Sequence, residues 1–323
     1  MIREKVGGEK VIVLVSGGVD SAVTAALLVR ALPPENVYAI HIDHGMMRKN
    51  ESDLICENLK KLGLVHMKRV NAENEFFNGA VDDGTGKVIG PLSATVDPEK
   101  KRKIIGSMFV KVTAKAAEEL GIDFDNTFLA QGTLRPDLIE SGNPDVSGYA
   151  NKIKTHHNDV DIIRKFREKG KIIETNWDWH KDEVRQVARM LGLDEEIASR
   201  QPFPGPGLGV RCLGAITRDR LEALREADAI VREEIDKAGL TIWQYFAVVP
   251  DFRATGVREG KRAYDWPCII RCINTVDVMT AEVPELDWAL LKRITARVTA
   301  EVPGICRVCY DLTPKPVGTV EWE

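Results

Sequence analysis

The stretch Val-Ile-Val-Leu-Val-Ser-Gly-Gly-Val-Asp-Ser, residues Val11 to Ser21, limits the possible folds of this chain more than any other. Five consecutive apolar residues without a polar break read as a strand buried on both faces of a parallel sheet. Gly17 and Gly18 then turn the chain, and helix signals follow at once. Asp20 and Ser21 suit a first turn, and Ala22, Val23, Ala26, Leu27 and Arg30 continue at helical spacing. A strand, a glycine turn and a helix start aim unpaired backbone N–H groups and the positive end of a helix dipole at one point, which favours a bound phosphate. The loop has neither the Gly-x4-Gly-Lys-Ser/Thr spacing of the common nucleotide loop nor Gly-x-Gly-x-x-Gly.

The first half goes on alternating strands and helices. Pro33 and Pro34 end the first helix, Val37 to Ile42 reads as a second strand, Asp43-His44-Gly45 as a turn, Asn50 to Leu62 as a helix and Val65 to Val70 as a third strand. This rhythm predicts parallel strands, right-handed crossovers and ligand binding at the carboxyl ends of the strands. The end of the second strand, Ile40 to Ile42, is then a candidate adenine wall, though core packing would use the same residues. A long helix is expected from Pro98 to Leu120, and a buried strand from Asn126 ends in the Gln131-Gly132-Thr133 turn. The long helix opens with Lys100, Lys101, Arg102 and Lys103, unfavourable at the positive end of a dipole unless an anion compensates. Such a broken rule marks either a site or a solvated basic face.

From Glu140 to Asp159 periodicity disappears, and this polar stretch is read as a lid; His156 and His157 are adjacent and lack metal-ligand spacing. Prolines and glycines over 201–209 interrupt regular structure and divide the chain into domains 1–200 and 201–323. The second part reads as α+β: helices Arg218–Ala238 and Asp287–Glu301, strands near Trp243–Val249, Pro267–Asn274 and Ile305–Leu312. Apolar strands left exposed in such a domain predict a homodimer. The amino-terminal ten residues lack a secretory or membrane pattern, so a cytoplasmic protein is expected. A net charge of −4 gives no electrostatic reason to bind nucleic acid. The six cysteines are expected as free thiols, and Cys306 and Cys309 lie three apart on a strand, on opposite faces.

The Ser16-Gly17-Gly18-Val19-Asp20-Ser21 loop resembles that of the ATP pyrophosphatases, which cut ATP between the α and β phosphates. That resemblance implies that Ser16, Gly17, Gly18, Val19 and Ser21, with Ala22 behind them, cradle pyrophosphate, and that Asp20 is catalytic and helps to hold Mg²⁺. Ile42, Gln131 and Gly132 would complete the ATP site. The ordered set formed by this loop, Lys101 to Gly106, Leu129 to Thr133 with Pro136-Asp137 and Ile139 to Ser141, His156 to Asn158, Lys181 to Arg185, Pro202 to Arg211, Tyr264 to Trp266 and Lys315 to Glu323 is similar to the GMP synthetases. This implies an adenine-nucleotide α-hydrolase-like parallel sheet with helices on both faces, followed by a smaller α+β domain for dimerisation and XMP binding. It implies the adenylylation of XMP by ATP, release of pyrophosphate, and amination by ammonia to GMP and AMP. Arg102, Lys315 and Glu321 would then contact XMP, and Lys154 in the lid would neutralise charge during adenylyl transfer.

Two departures stand out. Many family members carry an amino-terminal glutaminase domain, whereas this chain reaches the ATP loop almost at once, so a separate glutamine amidotransferase subunit is expected to supply ammonia. After Asn158, where the family has Gly-Gly-Leu-Pro, this chain has the charged run Asp159 to Arg167. Other pyrophosphatases, such as NAD synthetase or a tRNA-modifying ligase, share the Ser16 loop, and a silent nucleotide-binding protein is the alternative of another class.

Overall fold

A computed structural model describes residues 1–123, 126–132, 166, 168–258, 260–276 and 278–323. They group into two compact units. The first comprises Met1–Gly45, Asn50–Phe76 and Ile105–Arg200, the second Met46–Lys49, Phe77–Ile104 and Gln201–Glu323.

The first unit is built on β1 (Lys10–Leu14), α1 (Val19–Ala31), β2 (Val37–Asp43), α2 (Glu51–Lys61), β3 (His66–Asn71), α3 (Pro98–Glu119, from Ile105 onward), β4 (Thr127–Gln131), β5 (Ile172–Glu174) and α4 (Lys181–Met190). The strands form one five-stranded sheet in the order β3-β2-β1-β4-β5, parallel throughout. The unbroken apolar run accounts for the place of β1, since a central strand is covered on both faces, and Val11, Ile12 and Val13 are at most 2% exposed. The sheet grows outward from β1 to β3 and resumes with β4 on the other side of β1. With right-handed crossovers, that order carries helices on both faces and opens a crevice where β1 and β4 diverge. Val19, Ala22 and Val23 of α1 pack with Val184 and Ala188 of α4, Leu193 and Ile197 in one apolar cluster.

The expected elements agree with the observed ones to within a few residues here, and β5, α4 and the short helices Ile2–Val6, Glu73–Phe77 and Glu195–Ala198 are additions. β5 is three residues long, too short to announce itself by pattern, and α4 buries Val184 and Ala188, with Val187 packed beside them, among five charged residues. The helix after the loop starts at Val19 with Gly18 at its cap, so Asp20 and Ser21 lie inside its first turn.

The second unit contains α5 (Arg218–Lys237), β6 (Gln244–Val248), β7 (Ala254–Arg258), β8 (Lys261–Ile273), α6 (Trp288–Glu301) and β9 (Ile305–Tyr310). β8 is the organising strand: antiparallel to β6 and β7, parallel to β9, with a register shift at Trp266/Pro267 where proline has no N–H to offer the ladder. Its first half and β7 were not expected, because Ala254-Thr255-Gly256-Val257-Arg258 lacks apolar weight and is held by pairing with β8. Buried Asp228 on α5 accepts a hydrogen bond from the Ala247 N–H of β6 at 3.0 Å. Cys306 is half-buried and Cys309 exposed, and all six cysteines are free. Among the described residues no helix is long and apolar enough to cross a membrane.

Candidate functional site

The crevice between β1 and β4 holds a cavity of about 290 Å³, lined by Leu14, Ser16, Gly18, Asp20, Ser21, Leu129, Ala130, Gln131 and Gly132. The first intrahelical bond of α1 runs from the Ala22 N–H to the Gly18 carbonyl at 3.1 Å, so the N–H groups of Val19, Asp20 and Ser21 precede it without intrahelical partners. Ser21 Oγ donates to the Gly18 carbonyl at 3.0 Å, and Ser16 Oγ lies 3.4 Å from Ser21 Oγ. Backbone donors, small hydroxyls and a helix dipole therefore face one space, a combination suited to an anion. Gly17 has φ of 86°, left-handed backbone that favours glycine. Its carbonyl accepts from Arg200 Nη1 at 2.6 Å, and Arg200 is in turn ion-paired with buried Glu51.

Asp20 is gripped from three elements. Thr24 Oγ1 and Asn176 Nδ2 both donate to its carbonyl oxygen, at 2.9 and 3.1 Å, and the Thr24 and Thr175 hydroxyls lie 2.8 Å apart. Lys181, at the start of α4, donates from Nζ to Asp20 Oδ2 at 2.5 Å. Gly132, just past β4, comes so close that a Cβ there would lie 2.9 Å from the Asp20 carbonyl carbon and oxygen. The other carboxylate oxygen, Oδ1, is buried with no hydrogen-bond partner among the described residues. An anionic oxygen held out of water and aimed beside a phosphate-type loop suits a hard oxygen-seeking cation, so the residues present fit Mg²⁺.

The remaining sequence-predicted residues divide clearly. Val19 and Ala22 turn their side chains into the α1–α4 cluster, which leaves only their backbones for a ligand, and Ile42 is buried at the end of β2 without lining the cavity. In the second unit, Arg102 pairs with Glu99 one turn earlier, and Lys315 Nζ donates to the Val278 carbonyl at 2.5 Å. Glu321 is held bidentately by fully buried Arg211, Nε at 3.0 Å and Nη2 at 2.7 Å, with Gln244 Nε2 at 3.2 Å. Each of the three is engaged with a different partner. Lys154, with the expected lid and its histidines, lies outside the described residues, as do Thr133, Pro136-Asp137 and Ile139 to Ser141.

Sequence reasoning assigned no role to Thr24, Thr175, Asn176, Lys181 or Arg200. Lys181 sits in a stretch already singled out, and the helix start beside it was the available signal; the buried Thr24–Thr175–Asn176 group joins positions about 150 apart in the chain and leaves no local trace.

Comparison with known proteins gives two family matches. The model described as GMP synthase C terminal domain matches residues 233–322, and that described as NAD synthase matches residues 2–84, the strand-loop-helix end of the chain. A Bacteroides thetaiotaomicron protein provisionally named a second glutamine-hydrolysing GMP synthase is 48% identical over the whole of this chain, which spans 70% of it. Glutamine-hydrolysing GMP synthases of Lactobacillus acidophilus and Geobacillus kaustophilus are 45% and 43% identical, again over the whole chain, which spans 58% and 59% of their lengths.

Proposed function

The chain belongs to the GMP synthase family, and from that premise we propose that it is an ATP-dependent ligase acting on XMP: it adenylylates XMP, releases pyrophosphate and accepts ammonia to yield GMP and AMP. The observation that carries this reading is the cavity between β1 and β4, in which backbone N–H groups, Ser16, Ser21 and the Asp20 carboxylate converge.

The β and γ phosphates are assigned to the N–H groups of Gly18, Val19, Asp20 and Ser21 and to the serine hydroxyls, donors fixed before reaction and therefore cheap to use when charge builds up on the leaving group. Lys181 adds a cation at the same end of α1. Gln131 and Gly132 form the opposite lip and are assigned to the α phosphate and ribose. Asp20 would hold Mg²⁺ through Oδ1; when bound, that ion neutralises phosphate charge. The XMP oxygen at C2 attacks the α phosphorus, the bond to the α–β bridging oxygen breaks and pyrophosphate leaves. Ammonia then adds at C2 and AMP departs with the oxygen. Arg102, Lys315 and Glu321 of the second unit are assigned to XMP, and Lys154 to charge neutralisation at the α phosphate.

Glutamine hydrolysis is assigned to a glutaminase outside residues 1–323, which deliver ammonia to the activated purine. A second copy of the chain is assigned to the second unit, supported by exposed Val257, Tyr264, Met279, Leu312 and Val317. Purine nucleotide substrates and free thiols suit the cytoplasm.

Purified protein incubated with XMP, MgATP and ammonium should consume XMP and release AMP and pyrophosphate in equal amounts. Equal rates with nicotinic acid adenine dinucleotide in place of XMP, or AMP release that ignores XMP, would refute the assignment. Ultracentrifugation that finds only monomers removes the second copy.

A further inference from the structure

The four cations opening α3 pose a problem of charge that the structure resolves in an unexpected place. Lys100 is exposed and Arg102 answers Glu99, but Lys101 is only 2% exposed, and a buried ammonium needs partners for all of its protons. It finds three: the Glu323 carboxylate Oε2, the Gly214 carbonyl at 2.9 Å and the Cys212 carbonyl at 3.1 Å. Glu323 uses its other oxygen to accept the Gly214 N–H at 2.7 Å. The compensating anion is thus the chain's own tail, and the pair is closed against water, with Glu323 at 10% exposure.

The tail is attached at every second residue, 319, 321 and 323. Buried Arg271 donates to the Thr319 carbonyl at 2.9 Å, Arg211 grips Glu321, and Lys101 grips Glu323. Of these anchors, Lys101 alone belongs to the helix turn that carries Arg102. Arg102 and the tail residues Lys315 and Glu321 are the three assigned to XMP, from segments more than 200 positions apart.

We propose that Lys101 is a positioning residue for the XMP site: through Glu323 it sets the tail's Glu321 in register with Arg102, while Lys315 is held separately by its backbone bridge to Ala281. The inference rests on the XMP assignment above. Neither Lys101 nor Glu323 touches substrate in this arrangement; their ion pair fixes where the residues that do so lie, and a misplacement of about 1 Å is enough to weaken a bound geometry by orders of magnitude.

The test is steady-state kinetics on Glu323→Gln, which keeps the shape and the Gly214 hydrogen bond but removes the charge, alongside Lys101→Met and the double variant. Titration calorimetry with XMP alone is the second readout. For Glu323→Gln we expect KM and Kd for XMP to rise about tenfold while KM for ATP stays within twofold, with the double variant no worse than Lys101→Met alone, because the two act as one unit. Lys101→Met leaves Glu323 buried without its cation, so a folding defect there is read through Glu323→Gln. An unchanged XMP affinity in folded Glu323→Gln, or a loss shared equally by XMP, ATP and kcat, would overturn the proposal. Wild-type protein that fails to turn over XMP removes the substrate assignment, and the positioning role falls with it; wild-type turnover with an unaffected Glu323→Gln removes the positioning role alone.

Discussion

Asp20 in the first unit and Glu321 in the second are carboxylates assigned to bound nucleotides, and their surroundings differ in kind. Asp20 is fixed through its backbone by Thr24, Asn176 and the close approach of Gly132, and one of its oxygens is left without a partner among the described residues. Glu321 is fixed through its carboxylate, both oxygens of which are taken by Arg211, with Gln244 sharing one. In the first region Lys181 meets one carboxylate oxygen and the other has no partner among the described residues, the place assigned to Mg²⁺. The second is satisfied from within, so a ligand there meets a surface whose geometry is set by buried ion pairs, and recognition depends on their register.

On this contrast, removing Arg211, which is fully buried, should damage the fold before it damages chemistry. Arg211→Met leaves Glu321, and Asp228 at 3.9 Å, facing an apolar side chain in place of a fully buried guanidinium. Removing one partner of a buried pair typically costs about 3–5 kcal/mol. We expect a loss of that order in urea unfolding, with Glu321→Leu added to Arg211→Met recovering part of it. A variant as stable as wild type would mean that the pair is not structural.

In the first unit the reverse should hold. Asp20→Asn keeps the shape and the backbone clamp but removes the charge, so unfolding midpoints should barely move while kcat falls by about 10²–10³, the usual size for one preorganised electrostatic group. Pyrophosphate binding that no longer responds to added Mg²⁺ in that variant would be the direct sign. Gly132→Ala should act between these extremes: its Cβ would meet the Asp20 backbone at 2.9 Å, and we expect about a tenfold to hundredfold loss of kcat with ATP still bound. Wild-type turnover in Gly132→Ala would show that the close approach is dispensable.

The same contrast explains what the sequence made legible. The site in the first unit is made of contiguous residues, a strand end, two glycines and a helix start, and each piece has a local rule that betrays it. The apolar run from Val11 to Val15 and the strand near Thr127 also put the Ser16 loop and the Gln131 turn at carboxyl ends of parallel strands, but that the two strands are neighbours comes only from their pairing in the fold. What supports Asp20 was not read, since Asn176 and Lys181 reach it from a segment more than 150 residues away, although the apolar spacing of Val184, Val187, Ala188 and Leu191 marks the helix that Lys181 opens. In the second unit the helices, β6, β9 and the second half of β8 could be read from the sequence, but the tail could not. Charged residues near a chain's end look solvated, and only the fold reveals that Glu321 and Glu323 meet Arg211 and Lys101. The broken dipole rule at Lys100 to Lys103 was the one local hint, pointing to an anion without saying which.

The smallest effect concerns how the end of β1 is held next to the loop. His41 on β2 lies between the Val15 carbonyl, 2.8 Å from Nδ1, and Ser52 Oγ of α2, 3.0 Å from Nε2. A carbonyl can only accept, so Nδ1 carries the proton and Nε2 accepts from the serine hydroxyl in a neutral ring. Burial pushes the His41 pKa below its ordinary 6.5, against the opposing pull of the Val15 carbonyl and Asp43. The unfolded chain then binds more protons than the folded one as pH falls below about 6.5, so stability is flat above that value and declines below it, by at most about 1.4 kcal/mol per pH unit. Asp43 adds a separate window. Burial raises its carboxyl pKa, but the Gly45 N–H and the Arg69 guanidinium outweigh this and leave it below 3.8, so its contribution is present above that pH and is lost only in stronger acid. Urea unfolding at pH 7.5 and 5.5 should therefore show the decline in wild type and not in His41→Gln, while an equal slope in both proteins would place the acid sensitivity elsewhere. Because the ring ties down the residue before Ser16, the same acidification should weaken pyrophosphate binding while leaving the Arg211–Glu321 pair undisturbed.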